Sequence, residues 1–177
     1  MRLFLAIDLP AEIKQNLELQ LQPLKKEYPY LTWVEPENFH ISLLFLGEVE
    51  DKDEIVRRIE ENVFDVRPVY LFSLSSSIFI QNKITLYVKF KRDKSLEKLV
   101  EKLRQEFNMP ESVKFVPHLT VARYKVPSKQ QYLLLKKKME NFSPDLEFGA
   151  DTFTLFESIP SGKRLIYKNL HEFKLER

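Results

Sequence analysis

Two apolar runs in this chain each carry a histidine with a hydroxyl two residues later. The first is Phe39-His40-Ile41-Ser42-Leu43-Leu44-Phe45-Leu46-Gly47, and 78 residues further on comes Phe115-Val116-Pro117-His118-Leu119-Thr120-Val121-Ala122-Arg123. Short runs of branched and aromatic residues bounded by turn formers read as strands. Side chains alternate along a strand, so His40 and Ser42 leave one face while Ile41, Leu43 and Phe45 leave the other. His118 and Thr120 stand the same way against Leu119 and Val121. The chain must therefore build two strands, each with one apolar face and one face offering a titratable ring beside a neutral hydroxyl. Accident is a weak explanation. With 16 Ser and Thr among 177 residues, two of the three histidines would both gain a hydroxyl at the second position with a probability of roughly 2 to 3%.

Composition removes several other chemistries. The absence of cysteine excludes disulfides, thiolate zinc sites and a cysteine nucleophile, and three histidines supply metal chemistry poorly. No metal or cofactor is expected. A net charge of +2 is too small for a nonspecific grip on long nucleic acid, but local lysines suffice for a few phosphates. Charged residues at 31% with only three glycines resemble thermophile usage. No window approaches 18 apolar residues, and Met1-Arg2-Leu3-Phe4-Leu5-Ala6-Ile7-Asp8 reaches an acid too soon for a signal-peptide core. A cytoplasmic protein without a membrane segment, acting as a monomer, is expected.

Along the chain, Met1 to Ile7 reads as a strand, with Asp8 placed to cap a helix beginning near Pro10. Ile13, Leu17, Leu21 and Leu24 form the apolar face of that helix, which ends at Tyr28-Pro29. Leu31 to Val34 is strand-like, with Trp33 read as core, and Glu35-Pro36-Glu37-Asn38 turns the chain into the first histidine strand, closed by Gly47. Ile55, Ile59 and Val63 mark a short amphipathic helix after Asp51. Pro68 to Ile80 and Ile84 to Lys91 form a hairpin about Gln81-Asn82-Lys83. A helix starts at Ser95, carries Leu96, Leu99, Val100, Leu103 and Phe107 on one face, and stops at Asn108 and Pro110. After the second histidine strand, Ser128 caps a helix whose inward face is Tyr132, Leu135, Met139 and Phe142, with Lys136-Lys137-Lys138 in water. Asp151 to Ile159 and Arg164 to Leu175 close the chain as a hairpin, in which His171, lacking a partner hydroxyl, is an ordinary strand residue. No linker composition appears. The expectation is one α+β domain over residues 1–177, made of two intertwined lobes: a pseudo-twofold pair of antiparallel sheets flanked by helices about a central cleft.

Two imidazoles facing one space can act as base and acid near neutrality, and neighbouring hydroxyls can hold charged oxygens between them. A phosphodiester such as a ribose cyclic phosphate suits that arrangement. His40-Ile41-Ser42 and His118-Leu119-Thr120 resemble the paired His-x-Thr/Ser signatures of the two-histidine (2H) phosphoesterases. The likeness is nearest to the LigT/ThpR-like RNA 2',3'-cyclic phosphodiesterases, once named 2'-5' RNA ligases. It runs over nearly the whole chain: Arg2 to Ile7, Trp33-Val34 before Asn38-Phe39-His40, Phe45-Leu46-Gly47, Phe115 to Arg123, and Glu157-Ser158 with Gly162 and Tyr167.

The resemblance implies a bilobal fold and metal-independent opening of an RNA 3'-terminal 2',3'-cyclic phosphate to a 2'-phosphomonoester. By it His40 is the proton donor to the leaving 3'-oxygen, His118 the proton acceptor from water, and Ser42, Thr120 and Arg123 contact the phosphate. Phe4, Phe45 and Tyr124 are candidate base-stacking residues. Ser42 departs from the commoner Thr, keeping the hydroxyl while losing the methyl that restricts its rotamers. Strict alternation puts Arg123 on the face opposite His118, so its role requires the strand to end, bulge or twist near Ala122. Alternative readings are a phosphate-binding module without chemistry, a 2'-5' RNA ligase, and a cyclic phosphodiesterase of small nucleotides.

Overall fold

The computed structural model describes residues 1–110 and 114–176. Its first strand, β1 (Arg2–Asp8), is buried from Leu3 to Ile7. Pro10 starts α1 (Ala11–Glu27), which turns Leu17, Leu21 and Leu24 inward as their spacing predicts. Asp8 does not cap this helix. Its carboxylate lies 2.7 Å from Lys14 Nζ and accepts from the Leu9 N–H, an ion pair one turn away displacing the cap. Then follow β2 (Thr32–Trp33), a 3-10 turn at Pro36–Asn38, and β3 (His40–Glu48). Gly47 does not end β3. It sits inside the strand at φ +76°, a left-handed conformation that glycine adopts without steric cost, beside a register shift against β1.

Asp51 caps α2 (Lys52–Asn62) by accepting from the Asp53 and Glu54 N–H groups. β4 (Val69–Ile80) and β5 (Lys83–Phe90) form the expected hairpin. The next helix, α3 (Lys94–Glu106), begins before Ser95 because Asp93 accepts from the Leu96 N–H at 2.9 Å, and Leu96, Leu99, Val100 and Leu103 are buried. β6 (His118–Lys125) leads to α4 (Lys129–Glu140), capped by Ser128, and then to β7 (Glu147–Ala150). The last hairpin, β8 (Thr152–Ser161) and β9 (Arg164–Lys174), turns at Gly162 with φ +62°.

All strand pairs are antiparallel, in the order β7-β4-β5-β6-β3-β1-β8-β9, with β2 added beside β6. The order is symmetric about the β6–β3 seam. Each side reaches the seam through strand, helix, strand, helix: β1-α1-β3-α2 on one side, β5-α3-β6-α4 on the other. The pair of antiparallel sheets expected from the sequence is thus fused into one path. The fusion is narrow, for β3 and β6 register only at Ile41 opposite Leu119, both fully buried. The main core draws on all four helices and on the strand residues that face them. A smaller apolar cluster, Phe4, Ala6 and Phe156 with Tyr167, lies apart from it and underlies the site.

Candidate active site

An antiparallel pairing of Ile41 with Leu119 sets Ser42 opposite His118 and His40 opposite Thr120. Directly opposed residues share a face, and Ile41 and Leu119 own the core face, so all four polar side chains leave the other one. Ordinary antiparallel geometry extended from that one pair puts them at the corners of a square about a local two-fold, with opposed Cβ atoms about 5 Å apart.

Each imidazole is held in the same way. His40 Nδ1 lies 2.7 Å from the Asn38 carbonyl oxygen, and His118 Nδ1 lies 2.8 Å from that of Val116. A carbonyl only accepts, so both Nδ1 atoms carry the proton and each neutral ring keeps its lone pair on Nε2. The Ser42 hydroxyl lies 3.0 Å from His40 Nε2. In the neutral ring that hydroxyl donates.

Aromatic rings fix both histidines from behind. The His40 ring has Phe4 at 5.1 Å and Tyr167 edge-on at 5.2 Å. The His118 ring is met edge-on by Phe79 and Tyr87 at 5.4 and 5.5 Å, and those two rings stack on each other at 4.0 Å. Burial among the rings lowers the His40 pKa from 6.5 to about 4, outweighing the Asn38 hydrogen bond that raises it; Arg123 and Lys14 lower it further and Asp8 raises it. His40 is therefore neutral in the free protein above about pH 4.

Two matching bulges decide what else reaches this face. Between Leu86 and Tyr87 the β5–β6 register slips, leaving Val121 without a partner, and the Val34 N–H donates to the Val121 carbonyl at 2.9 Å. Between Leu5 and Ala6 the β1–β3 register slips in the same way and leaves Leu43 unpaired. Each bulge is the third residue after its histidine, and each is followed by a second buried residue, Ala122 or Leu44. Alternation is thereby inverted beyond it. Arg123 comes onto the His118 face, by the bulge its role requires, and Phe45 leaves the face shared with Ile41 to stand exposed on the His40 side.

The other aromatic candidates fare differently. Phe4 is only 3% exposed, stacked on Phe156 and edge-on to Tyr167, so it supports His40 and offers no free face to a base. Tyr124 alternates away from Arg123 along β6 and is half-buried against Tyr30 and the core, yet it lines the same cavity as Arg123 and Tyr167. Sequence reasoning missed Phe79, Tyr87 and Phe156 as the backing of the rings and gave Tyr167 no such part. Their signal is a period of two within the hairpins, which shows a face without showing which histidine it meets.

Asn38 was also missed. Its carbonyl holds His40, while its Nδ2 donates to the Leu165 carbonyl at 2.8 Å and ties the 3-10 turn to β9. Lys14 adds a second tie by donating to the Glu37 carbonyl. His171, outside the site, lies 3.1 Å from Glu60 and joins β9 to α2. Among the described residues no group of three His, Asp or Glu side chains is placed to hold a metal, and no helix is long and apolar enough to cross a membrane.

A single antiparallel α+β scaffold with two imidazoles and two hydroxyls about a local two-fold is the arrangement of a two-histidine phosphoesterase. A family model described as the 2'-5' RNA ligase superfamily matches residues 13–159, and the chain belongs to that superfamily. A Thermotoga maritima protein named RNA 2',3'-cyclic phosphodiesterase is 32% identical over 188 residues, covering 99% of this chain and 96% of that protein. Another of the same name, from Archaeoglobus fulgidus, is also 32% identical, with 98% and 100% covered. Escherichia coli LigT complexed with 3'-AMP shares the fold at TM-score 0.76 and 22% identity, over 99% of this chain and 98% of that one.

Proposed function

We propose that this protein hydrolyses the 2',3'-cyclic phosphate at an RNA 3' end to a 2'-phosphomonoester, using its two histidines as acid and base and no metal. The observation that carries the reading is the shared tether: both Nδ1–H groups are spent on backbone carbonyls, which leaves both Nε2 atoms for proton transfer on one face, that of His40 beside the Ser42 hydroxyl. His118 Nε2 takes a proton from water as its oxygen attacks phosphorus. His40 Nε2 delivers a proton to the departing 3'-oxygen. The hydroxyls of Ser42 and Thr120 and the guanidinium of Arg123 bind the nonbridging oxygens, whose charge grows in the transition state.

A donor with a pKa of about 4 is mostly unprotonated at neutral pH, so the substrate must supply what the free site lacks. A phosphodiester anion roughly 4 Å from the ring contributes about 4 kcal/mol at an effective dielectric of about 20, or about three pKa units. That brings His40 near neutrality only when the substrate is bound. Arg123, once paired with phosphate, ceases to oppose it.

The test is turnover of an oligoribonucleotide ending in a 2',3'-cyclic phosphate, in EDTA, with identification of the product. Full activity giving the 2'-phosphate, reduced about 10²- to 10⁴-fold in both His40→Ala and His118→Ala, is the expected result. A wild-type protein that binds the end and leaves the ring intact overturns the reading and makes the site a phosphate-binding module.

A further inference from the structure

A cavity of about 620 Å³ opens beside the histidines, between the edge where β2 meets β6 and the turn joining β8 to β9. It adjoins the reacting centre directly, since it is lined by Arg123, whose charge acts on His40, and by Tyr167, whose ring lies 5.2 Å from His40. Its size is within the range of pockets that take a small organic ligand. Its charge is uneven for a chain of net +2: Lys83, Arg123, Lys125, Lys163 and Arg164 line it against one carboxylate, Glu35. That carboxylate lies 3.3 Å from Arg164.

Three of these cations lie on one stretch of β5–β6. Lys83 is directly opposite Lys125, and Arg123 stands two residues along on the same face. Like charges directly opposed on a sheet destabilise it. Among the described residues, Lys83, Lys125 and Lys163 form no ion pair with a carboxylate; Lys125 instead lies over the Tyr124 ring at 5.8 Å. Such a cluster is relieved by an anion. A cyclic mononucleotide cannot supply it, because its one phosphate is consumed between the histidines with Ser42, Thr120 and Arg123. The phosphodiesters of a strand running 5' from the ring can supply it.

We propose that this groove holds the single-stranded RNA immediately 5' of the cyclic phosphate, with Lys83 and Lys125 on the first upstream phosphodiester and Tyr167 against a base. The substrate class is then an oligoribonucleotide end, and free cyclic mononucleotides are poor substrates. The inference rests on the activity proposed above and narrows its substrate. Stacking on aromatic side chains with cations along the backbone is how single strands are held without sequence preference.

The experiment compares wild type with Lys83→Gln/Lys125→Gln, both exposed positions. It measures kcat/KM for a hexaribonucleotide ending in 2',3'-cyclic phosphate and for adenosine 2',3'-cyclic phosphate, and hexamer binding by fluorescence anisotropy, at roughly 50 and 200 mM salt. Wild type should prefer the hexamer by at least about tenfold, and the double variant should lose about tenfold of that preference. Its log–log salt slope for hexamer binding should flatten by about one. Equal use of both substrates by wild type, or an unchanged preference in the variant, overturns the groove assignment and leaves the hydrolysis standing. Salt-dependent hexamer binding that the variant loses, with the ring uncleaved by wild type, supports the groove and removes the hydrolysis. A hexamer neither bound nor cleaved removes both.

Discussion

His40 shows how one side chain can be costly to the fold and useful to the site. Its pKa of about 4, set first by burial among Phe4, Phe156 and Tyr167, means the folded protein resists protonating it, whereas the unfolded chain protonates it near 6.5. The contribution is complete above pH 6.5 and is lost as pH falls from there through about 4, reaching about 3 kcal/mol at the bottom. Between pH 7 and pH 5 the loss is about 2 kcal/mol. Urea unfolding of wild type and His40→Gln at both pH values isolates the effect, because other groups titrate alike in the two proteins. The wild type should lose about 2 kcal/mol more than the variant, and parallel losses would place His40 in an ordinary solvated environment. The identity of this residue was legible from sequence because its hydroxyl partner was repeated. Its environment was not, since Phe4, Phe156 and Tyr167 come from three strands whose registers no local pattern states.

At the scale of elements, the sequence announces what depends on near neighbours and hides what depends on partners. Asp51 and Ser128 cap the helices they precede, and the apolar stripes of α1 and α3 are buried as their spacing requires. The bulges at Leu43 and Val121 left no such mark, being apolar residues among apolar residues. Yet they decide that Phe45 and Arg123 face the site. Asn38 is a case between the two: the turn it ends was legible, its grip on β9 was not. Removing that grip with Asn38→Ala should cost about 1 kcal/mol of stability, the worth of one hydrogen bond to Leu165. It should also lower kcat by roughly tenfold, because the same residue's carbonyl aims the His40 ring and small misplacements of a catalytic group are expensive. Steady-state kinetics beside thermal unfolding separate the two effects. A stability loss with kcat untouched would make the contact merely structural.

The whole molecule is two symmetric half-sheets joined at one registered pair, a construction that invites independent halves, and the chain path argues against that. After β1, β3 and α2, the backbone leaves to build β4, β5, β6 and β7, then returns to lay β8 against β1. The half built from β1, β3, β8 and β9 is therefore split, its two parts separated by the whole of the other half. β2 crosses the seam to pair with β6, and Val34 holds the Val121 bulge from the same side. We therefore infer a single cooperative domain. Trp33, the sole tryptophan, reports on that crossing through its pairing with Ala122 and its Nε1–H bond to the Tyr28 carbonyl. Its fluorescence and the far-UV circular dichroism of all strands should follow one urea transition with a common midpoint. Leu119→Ala, which empties half of the buried Ile41–Leu119 pair, should move both midpoints down together by an amount equivalent to about 2–5 kcal/mol. Were the tryptophan signal to melt first while ellipticity held, the seam would be a boundary between separately stable halves. The two histidines would then be positioned by docking of those halves, and their geometry would be the first thing lost on heating.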